Sequence, residues 1–360
     1  MKGKIINSIY IKRLLFYAAL FFVSTFIFFM LRGLSFEGGD TSIYLCQSVS
    51  DWRIFWGGGS LIYNMREPLA VMLVQTVEAI TDDPSLSFEI VSCASGGLWM
   101  ILLYAFRRSW TFWLIMLCSS ITFFYFGHKE FYAPEAVTLG LYFLLLTRVM
   151  EPDTRVRAWH VVSAWCLAVM IHRIALFFLP AMLPMFFGFS QHRLRSIPRR
   201  EWEKVLGAVI VFALLDQVPC WIGLMGTTLI RFTQLDNNLL ELLTLPKAWA
   251  EAVAARSVTG AFQLYYFGTL KHMQFFFGFW LLASPLAWWI LIYKRFSCAK
   301  ACVPLAIGAA CGVLWALCWH PHMGINDWDL FAVPAVPVNI WAGILVSRPI
   351  RPICPTTFSR

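Results

Sequence analysis

Charged side chains are scarce in this sequence, since Lys, Arg, Asp and Glu together make up only 14% of its 360 residues. Hydrophobic residues account for 59% and aromatic residues for 17%, more aromatics than a soluble domain needs. Apolar runs long enough to cross a bilayer recur along the chain. We therefore expect an all-α polytopic integral membrane protein rather than a soluble domain.

Several features of soluble or secreted proteins are also missing. We find no internal repeat, no low-complexity tract and no separate soluble domain, so one transmembrane domain is expected over 1–360. No cleavable leader is evident, because the apolar run 14–32 is too long for one and lacks a small-residue cleavage site. Most of the ten cysteines fall inside apolar runs and are interpreted as small hydrophobes, not as disulfides or metal ligands.

About ten transmembrane helices are predicted, with both termini on the cytoplasmic side. The predicted spans are 14–32, 85–106, 110–126, 132–149, 158–172, 173–189, 205–226, 270–293, 301–319 and 331–347. The fifth and sixth spans are separated only by His172 and Arg173, and could instead form one long broken helix that inverts everything downstream. Two helices are favoured because they place most of the 29 basic residues on the cytoplasmic side. The net charge of +9 is then explained by basic cytoplasmic loops, and it does not indicate nucleic-acid binding.

Two predicted outer loops are long, the first at 33–84 and the fourth at 227–269. The first contains "REPLAVMLVQTVEAI", in which positions 69, 72, 73, 76 and 80 form one largely apolar helical face. The fourth contains "NNLLELLTLPKAWAEAVAA". Each stretch is predicted to form a helix that lies in the membrane interface.

Most of the 20 acidic residues fall on the predicted outer side or within spans, where they cluster with histidine, lysine and arginine. The clustered residues of the outer side are Glu37, Asp40, Asp51, Arg66, Glu67, His128, Lys129, Glu130, Glu135, His172, Arg173, His320, His322, Asp327 and Asp329. Each has an ordinary interpretation, such as a surface pair for Lys129 and Glu130 or a helix cap for Asp327 and Asp329. Ordinary roles explain less well why separate loops bring these residue types to one side.

Three stretches resemble the GT-C glycosyltransferases, polytopic enzymes that use polyprenyl-phosphate-linked sugars. "GGDTSIY" followed by "GGGSLIYNMREPL" resembles their first outer loop, and "FGHKEFYAPEAVTLGLYFLLL" resembles the outer turn and fourth span of bacterial members. "NDWDLFA" is similar to a late-loop motif of bacterial proteins assigned to the same superfamily. The resemblance covers roughly 14–190 in organisation and 319–347 in motif, while the chain is shorter and lacks a soluble C-terminal domain.

The resemblance implies a bacterial inner-membrane enzyme with its active site facing the periplasm. It would move a sugar, with inversion, from a polyprenyl-phosphate donor to a cell-envelope glycan or lipid acceptor. The resemblance places the general base on Asp40. The donor phosphate needs cations, for which the candidates are Arg173, Lys129, His172 and Arg66. The candidate substrate-binding residues are Glu130, Glu67, Asp51, His320 and His322.

Some GT-C enzymes bind a divalent cation through paired acids, and Asp327 with Asp329 could hold Mg²⁺ or Mn²⁺ in the same way. The two side chains diverge on a strand and lie about 200° apart on a helix. They can therefore chelate one ion only if their loop is irregular.

Other functions stay open at this point. A polysaccharide polymerase or ligase usually relies on arginines in a long outer loop, and 227–269 offers only Arg231, Lys247 and Arg256. A secondary transporter would place charge near the membrane midplane, as Asp216 does in the seventh predicted span, but would often show inverted repeats. A non-catalytic membrane subunit is a third alternative.

Overall fold

A computed structural model describes residues 2–35, 68–151, 154–187, 199–221, 284–296, 300–318 and 332–347. Every regular element in these ranges is a helix. The α-helices are α1 (Lys2–Met30), α2 (Pro68–Thr81), α3 (Pro84–Phe106), α4 (Trp110–Leu117), α5 (Ile121–Phe124), α6 (Tyr132–Val149), α7 (Ala158–Ile171), α8 (Leu183–Phe187), α9 (Arg199–Trp221), α10 (Pro285–Tyr293), α11 (Val303–Cys318) and α12 (Val336–Val346). The 3-10 helices are Arg32–Leu34, Arg173–Met182, Lys300–Cys302 and Val333–Ala335.

Two of the described helices are long and apolar enough to cross a membrane, Tyr10–Met30 and Pro84–Phe106. The second agrees within one residue with the prediction for 85–106, and α6 matches the predicted 132–149. The remaining described apolar helices are shorter or interrupted. The described fold is therefore helical as predicted, and two of its helices are both long enough and apolar enough to span a membrane.

The predicted third span, 110–126, is not one continuous helix. It divides into α4 and α5, with a turn at 118–120. Ser119 Oγ donates to the Met116 carbonyl at 2.7 Å, and Thr122 Oγ1 donates to the Leu117 carbonyl at 2.9 Å. These hydroxyls occupy carbonyls at the end of α4, where the helix stops.

The chain reverses direction at His172, as the reading with two separate spans requires. His172 has extended dihedrals (φ −152°, ψ 136°), so α7 ends before it. Trp165 Nε1 then donates to the Ala175 carbonyl at 2.9 Å, and Tyr142 Oη donates to the Phe178 carbonyl at 3.0 Å. The returning segment begins as a 3-10 helix with Pro180 inside it, and proline removes a backbone donor that a longer α-helix needs.

Glycines let the helices approach closely. A Cβ atom on Gly97 of α3 would overlap Thr25 Oγ1 of α1 and lie 2.9 Å from Phe21 Cδ2. One on Gly308 of α11 would lie 2.5 Å from Phe143 of α6. Small residues at helix contacts are a common means of packing membrane helices. They bring α1 against α3, and α11 against α6.

The predicted amphipathic helix of the first outer loop is present as α2, which packs on α3 and α7. Met72, Leu73 and Ile80 of its apolar face are exposed, and Ile80 is 83% exposed. The buried residues lie on the opposite face: Ala70, Val74, Gln75 and Glu78. The helix therefore buries Gln75 and Glu78 together with two small apolar side chains, and it leaves large apolar side chains exposed, the arrangement expected beside lipid.

Candidate functional site

The described helices have two chemically different ends. α1 and α7 end at one of them, where α3 and α6 begin, as the contacts of Arg32 with Glu89 and of Tyr132 with His172 indicate. We call it the carboxylate end because of the acids that it collects, namely Asp82, Asp83, Glu89, Glu130 and Glu135.

The opposite end, where α3 and α6 end and α7 begins, is called the arginine end. Arg148 ties α6 to α3 there, because its Nη2 donates to the Phe106 carbonyl at 2.6 Å. The described cations of this end outnumber its acids, Glu151, Glu201 and Glu203. These cations include Arg107, Arg108, Arg148, Arg155, Arg157, Arg199, Arg200, Lys204, Lys294 and Arg295. The charge separation expected from the sequence is therefore present between the two ends.

Glu89, on the second turn of α3, holds one cation on each carboxylate oxygen. Its Oε2 lies 3.1 Å from Arg32 Nε, and its Oε1 lies 3.6 Å from Lys129 Nζ. Arg32 follows α1, and Lys129 lies between α5 and α6, so three distant parts of the chain meet here. The Glu89 and Lys129 side chains are 18% and 14% exposed, whereas Arg32 is 43% exposed. The pair of cations is therefore accessible from the Arg32 side.

The segment 127–131 is held against α1 and α3 by its backbone. Gly127 has φ +87°, and a Cβ there would lie 2.8 Å from Cβ of Arg32. Both the dihedral and the close approach require glycine. One residue later, the His128 carbonyl accepts a 2.5 Å hydrogen bond from Ser92 Oγ of α3. These contacts fix the backbone beside Lys129.

A row of rings connects the two histidines of the carboxylate end. The fully buried His128 ring lies 5.4 Å from Phe124, which stacks on Tyr132 at 6.1 Å. Tyr132 lies 5.2 Å from His172. Nδ1 of His128 also lies 3.5 Å from Ser35 Oγ. The cluster that contains His128 and the cluster that contains His172 were predicted on separate outer turns, and these rings bring them together.

His172 caps the 3-10 helix that follows it, and Arg173 binds back to the end of α7. Nδ1 of His172 accepts from the Ile174 N–H at 3.0 Å, so this nitrogen carries no proton and the neutral ring is protonated at Nε2. Arg173 Nη1 donates to the Val169 carbonyl at 3.2 Å, an interaction that stabilises a helix C-terminus. A phosphate-binding role for either residue stays a prediction.

Glu130 and Glu135 are buried at the same end. Glu130 is 4% exposed, and Glu135, in the first turn of α6, is fully buried. The Glu135 Oε2 oxygen accepts from Thr138 Oγ1 at 3.2 Å. The interpretation of Lys129 and Glu130 as an exposed surface pair is wrong, since Glu130 is buried and Lys129 contacts Glu89.

Two residues of this site, Arg32 and Glu89, were not predicted from the sequence. Both carry a signal in the sequence: Arg32 is the last residue of the first predicted span, and Glu89 is an acid inside the second. A charged residue within a membrane span requires a partner. Its partners came from distant segments, which the sequence pattern does not connect.

Most of the other predicted site residues lie outside the described residues: Asp40, Asp51, Arg66, Glu67, His320, His322, Asp327 and Asp329. Their roles stay predictions, as does the divalent cation assigned to the last two. Within the described ranges, no group of three or more His, Cys, Asp or Glu side chains is arranged to hold a metal ion.

Comparison of the chain with protein-family models, with curated proteins and with solved structures finds no match.

Proposed function

We propose that the protein is a membrane glycosyltransferase that takes a sugar from a polyprenyl-phosphate donor. The acceptor is a cell-envelope glycan or lipid, and the reaction takes place at the carboxylate end. The proposal combines the GT-C-like motifs of the sequence with the cations that converge at this end.

The observation that carries the proposal is the placement of Arg32 and Lys129 on the two oxygens of Glu89. Guanidinium and ammonium groups bind carboxylate and phosphate oxygens by the same charge-assisted hydrogen bonds. Arg32 lies just beyond the end of α1, a helix of spanning length, and is partly exposed. A lipid phosphate at the membrane surface would lie at this level.

In this proposal the phosphate of the donor binds Arg32 and Lys129, with Arg173, His172 and Arg66 as further ligands. His172 would donate from Nε2, because its Nδ1 already accepts from the backbone. The four basic residues stabilise the negative charge that develops on the leaving phosphate, and the neutral His172 ring contributes a hydrogen bond. Asp40 removes the proton of the acceptor hydroxyl as its oxygen attacks the anomeric carbon.

The remaining predicted residues complete the site. Glu67, Asp51, Glu130, His320 and His322 would bind the sugar or the acceptor. Asp327 and Asp329 would hold a divalent cation such as Mg²⁺ or Mn²⁺ if their loop allows it.

We further propose that the chain is a multi-pass protein of a bacterial inner membrane, with about ten spans. The excess of arginine and lysine at the arginine end supports a cytoplasmic position for that end. The carboxylate end then faces the periplasm, where lipid-linked sugars are available to it.

The test is transfer from a radiolabelled polyprenyl-phosphate sugar by the purified full-length protein. We expect Arg32→Gln and Lys129→Gln each to lower the rate on the order of a hundredfold, because each removes a cation from the leaving phosphate. Arg199→Gln is the matched control, since Arg199 is 94% exposed at the arginine end. Transfer at the control rate in both site variants would contradict the proposal.

A further inference from the structure

An aromatic cluster joins α1 to α3 at the arginine end. Tyr104 lies at its centre, with ring centroids 4.7 Å from Phe16, 5.9 Å from Tyr17 and 6.0 Å from Trp113. Trp113 Nε1 also donates to the carbonyl of Arg107 at 2.7 Å. Tyrosine and tryptophan each combine an apolar ring with one polar atom, and both are typical of the membrane interface.

Cations of α1 and of the segment just after α3 lie beside this cluster. The Arg108 guanidinium lies 4.7 Å over the Tyr104 ring, a cation–π arrangement. Lys12 and Arg13 lie one helical turn before Phe16 and Tyr17 on α1, and both are exposed. The aromatic cluster is therefore bordered by basic side chains on α1 and just after α3.

Around this cluster, basic side chains outnumber acidic ones. Glu151 Oε2 is already 2.8 Å from Nη1 of Arg148. Nε of Arg107 is buried and has no hydrogen-bond partner within the described residues. Burial lowers the pKa of the Arg107 guanidinium, with Glu151 opposing the shift and Arg148 adding to it. Arg107 therefore faces Glu151 and Arg148, away from the aromatic cluster. Lys12, Arg13 and Arg108 form no ion pair among the described residues, so their positive charge at the cluster favours an anion.

We propose that this corner, formed by Lys12, Arg13, Arg108 and the rings around Tyr104, binds the phosphate headgroup of an anionic membrane lipid. The inference rests on the membrane location proposed above and not on the glycosyltransferase activity. It adds a second phosphate-binding site, at the end opposite to the proposed reaction.

A lipid is favoured over a soluble anion because the surface that continues from the corner is apolar. Ile11, Leu14 and Leu15 of α1 are all more than half exposed, next to the cations. Acyl chains can lie along this face while the headgroup contacts the basic side chains. A soluble phosphate would use only the charges.

The experiment uses the full-length protein in a neutral detergent. Lipid retention is measured by native mass spectrometry for phosphatidylglycerol and for phosphatidylcholine with the same acyl chains. We expect phosphatidylglycerol to bind roughly tenfold more tightly, as expected for basic residues near an anionic headgroup. Arg108→Gln should reduce that preference severalfold, and Arg13→Gln with Arg108→Gln should abolish it.

Arg199→Gln is the control, because it removes an exposed cation from the same end without altering the corner. Arg108 is exposed and its guanidinium lies over the Tyr104 ring, so Arg108→Gln tests the site without breaking an ion pair that the structure describes. Equal binding of the two lipids, or an unchanged preference in Arg108→Gln, would overturn the inference. Full displacement of phosphatidylglycerol by an equal concentration of inorganic phosphate would overturn it in favour of a soluble-anion site. If the unmodified protein shows the lipid preference, Arg108→Gln loses it and no sample transfers sugar, this site stands and the proposed activity is removed instead.

Discussion

The two ends of the described helices use charge differently. At the arginine end, every ion pair among the described residues joins side chains three or four residues apart on the chain, as in Arg148–Glu151, Arg199–Glu203 and Lys204–Glu201. At the carboxylate end, Glu89 sits between two cations, and His128, Glu130 and Glu135 are buried. Exposed cations at helix ends are inexpensive, whereas buried ionisable groups are costly. This cost is the reason for placing the proposed reaction at the carboxylate end.

The largest effect is expected from Asp40→Asn, which removes the proposed general base. Asparagine keeps the shape but cannot take up the acceptor proton, so transfer should fall on the order of a hundredfold or more while donor binding survives. Asp40→Glu should recover little, because the carboxylate is displaced by one methylene.

Glu37→Gln is the control for this prediction, since Glu37 lies three residues earlier in the same loop. Rates and donor binding are measured in parallel on purified protein. Near-normal turnover in Asp40→Asn would move the base elsewhere, first to Glu130 and then to Asp51.

The comparison of the two ends is sharpened by replacing one glutamate in each. Glu89→Gln should lower the free energy of unfolding by about 2 kcal/mol, less than for a fully buried ion pair because Glu89 is partly exposed. Glu151→Gln should cost roughly 0.5 kcal/mol, because the Arg148–Glu151 pair is more than one-third exposed on both sides.

Thermal unfolding in one detergent, followed by near-ultraviolet circular dichroism, measures both variants. Glu89→Gln should also reduce transfer, since Arg32 and Lys129 lose the anion that positions them. Equal stability losses in Glu89→Gln and Glu151→Gln would remove the distinction between the ends.

A smaller effect is expected where α1 packs on α3. Gly97→Ala adds a Cβ against Thr25 and Phe21, and should destabilise the protein by about 1 to 2 kcal/mol. Gly207→Ala in α9 is the matched control. No described atom outside the neighbouring backbone of its own helix lies within 4 Å of the added Cβ, and alanine favours a helix by up to about 1 kcal/mol. A Gly97→Ala protein as stable as Gly207→Ala would show that α1 does not pack as described.

The sequence predicted helices best where an apolar run alone determines them. α6 has the predicted bounds, and α3 begins one residue early at Pro84, with Asp83 accepting from the Leu86 N–H. The interruption after Leu117 was not predicted, because it depends on serine and threonine hydroxyls that bind local carbonyls.

The candidate site was predicted in part. One turn carries His128, Lys129 and Glu130, and a second turn carries His172. The described fold brings these two turns together at one end. Arg32 was not predicted as a site residue, although its position after an apolar span marked it as unusual. Its role depends on Glu89, a partner more than fifty residues away in the sequence, and one sequence gives no sign of such pairings.

The central claim is that a lipid-linked sugar phosphate binds at the carboxylate end. Photo-crosslinking of the purified full-length protein with a diazirine-bearing isoprenyl-phosphate sugar, followed by peptide mapping, tests it most directly. We expect the label on segments 84–92 and 127–132, and its loss on competition with unlabelled isoprenyl phosphate but not with the isoprenyl alcohol. Labelling confined to segment 104–113 at the arginine end, or equal competition by the alcohol, would contradict the account.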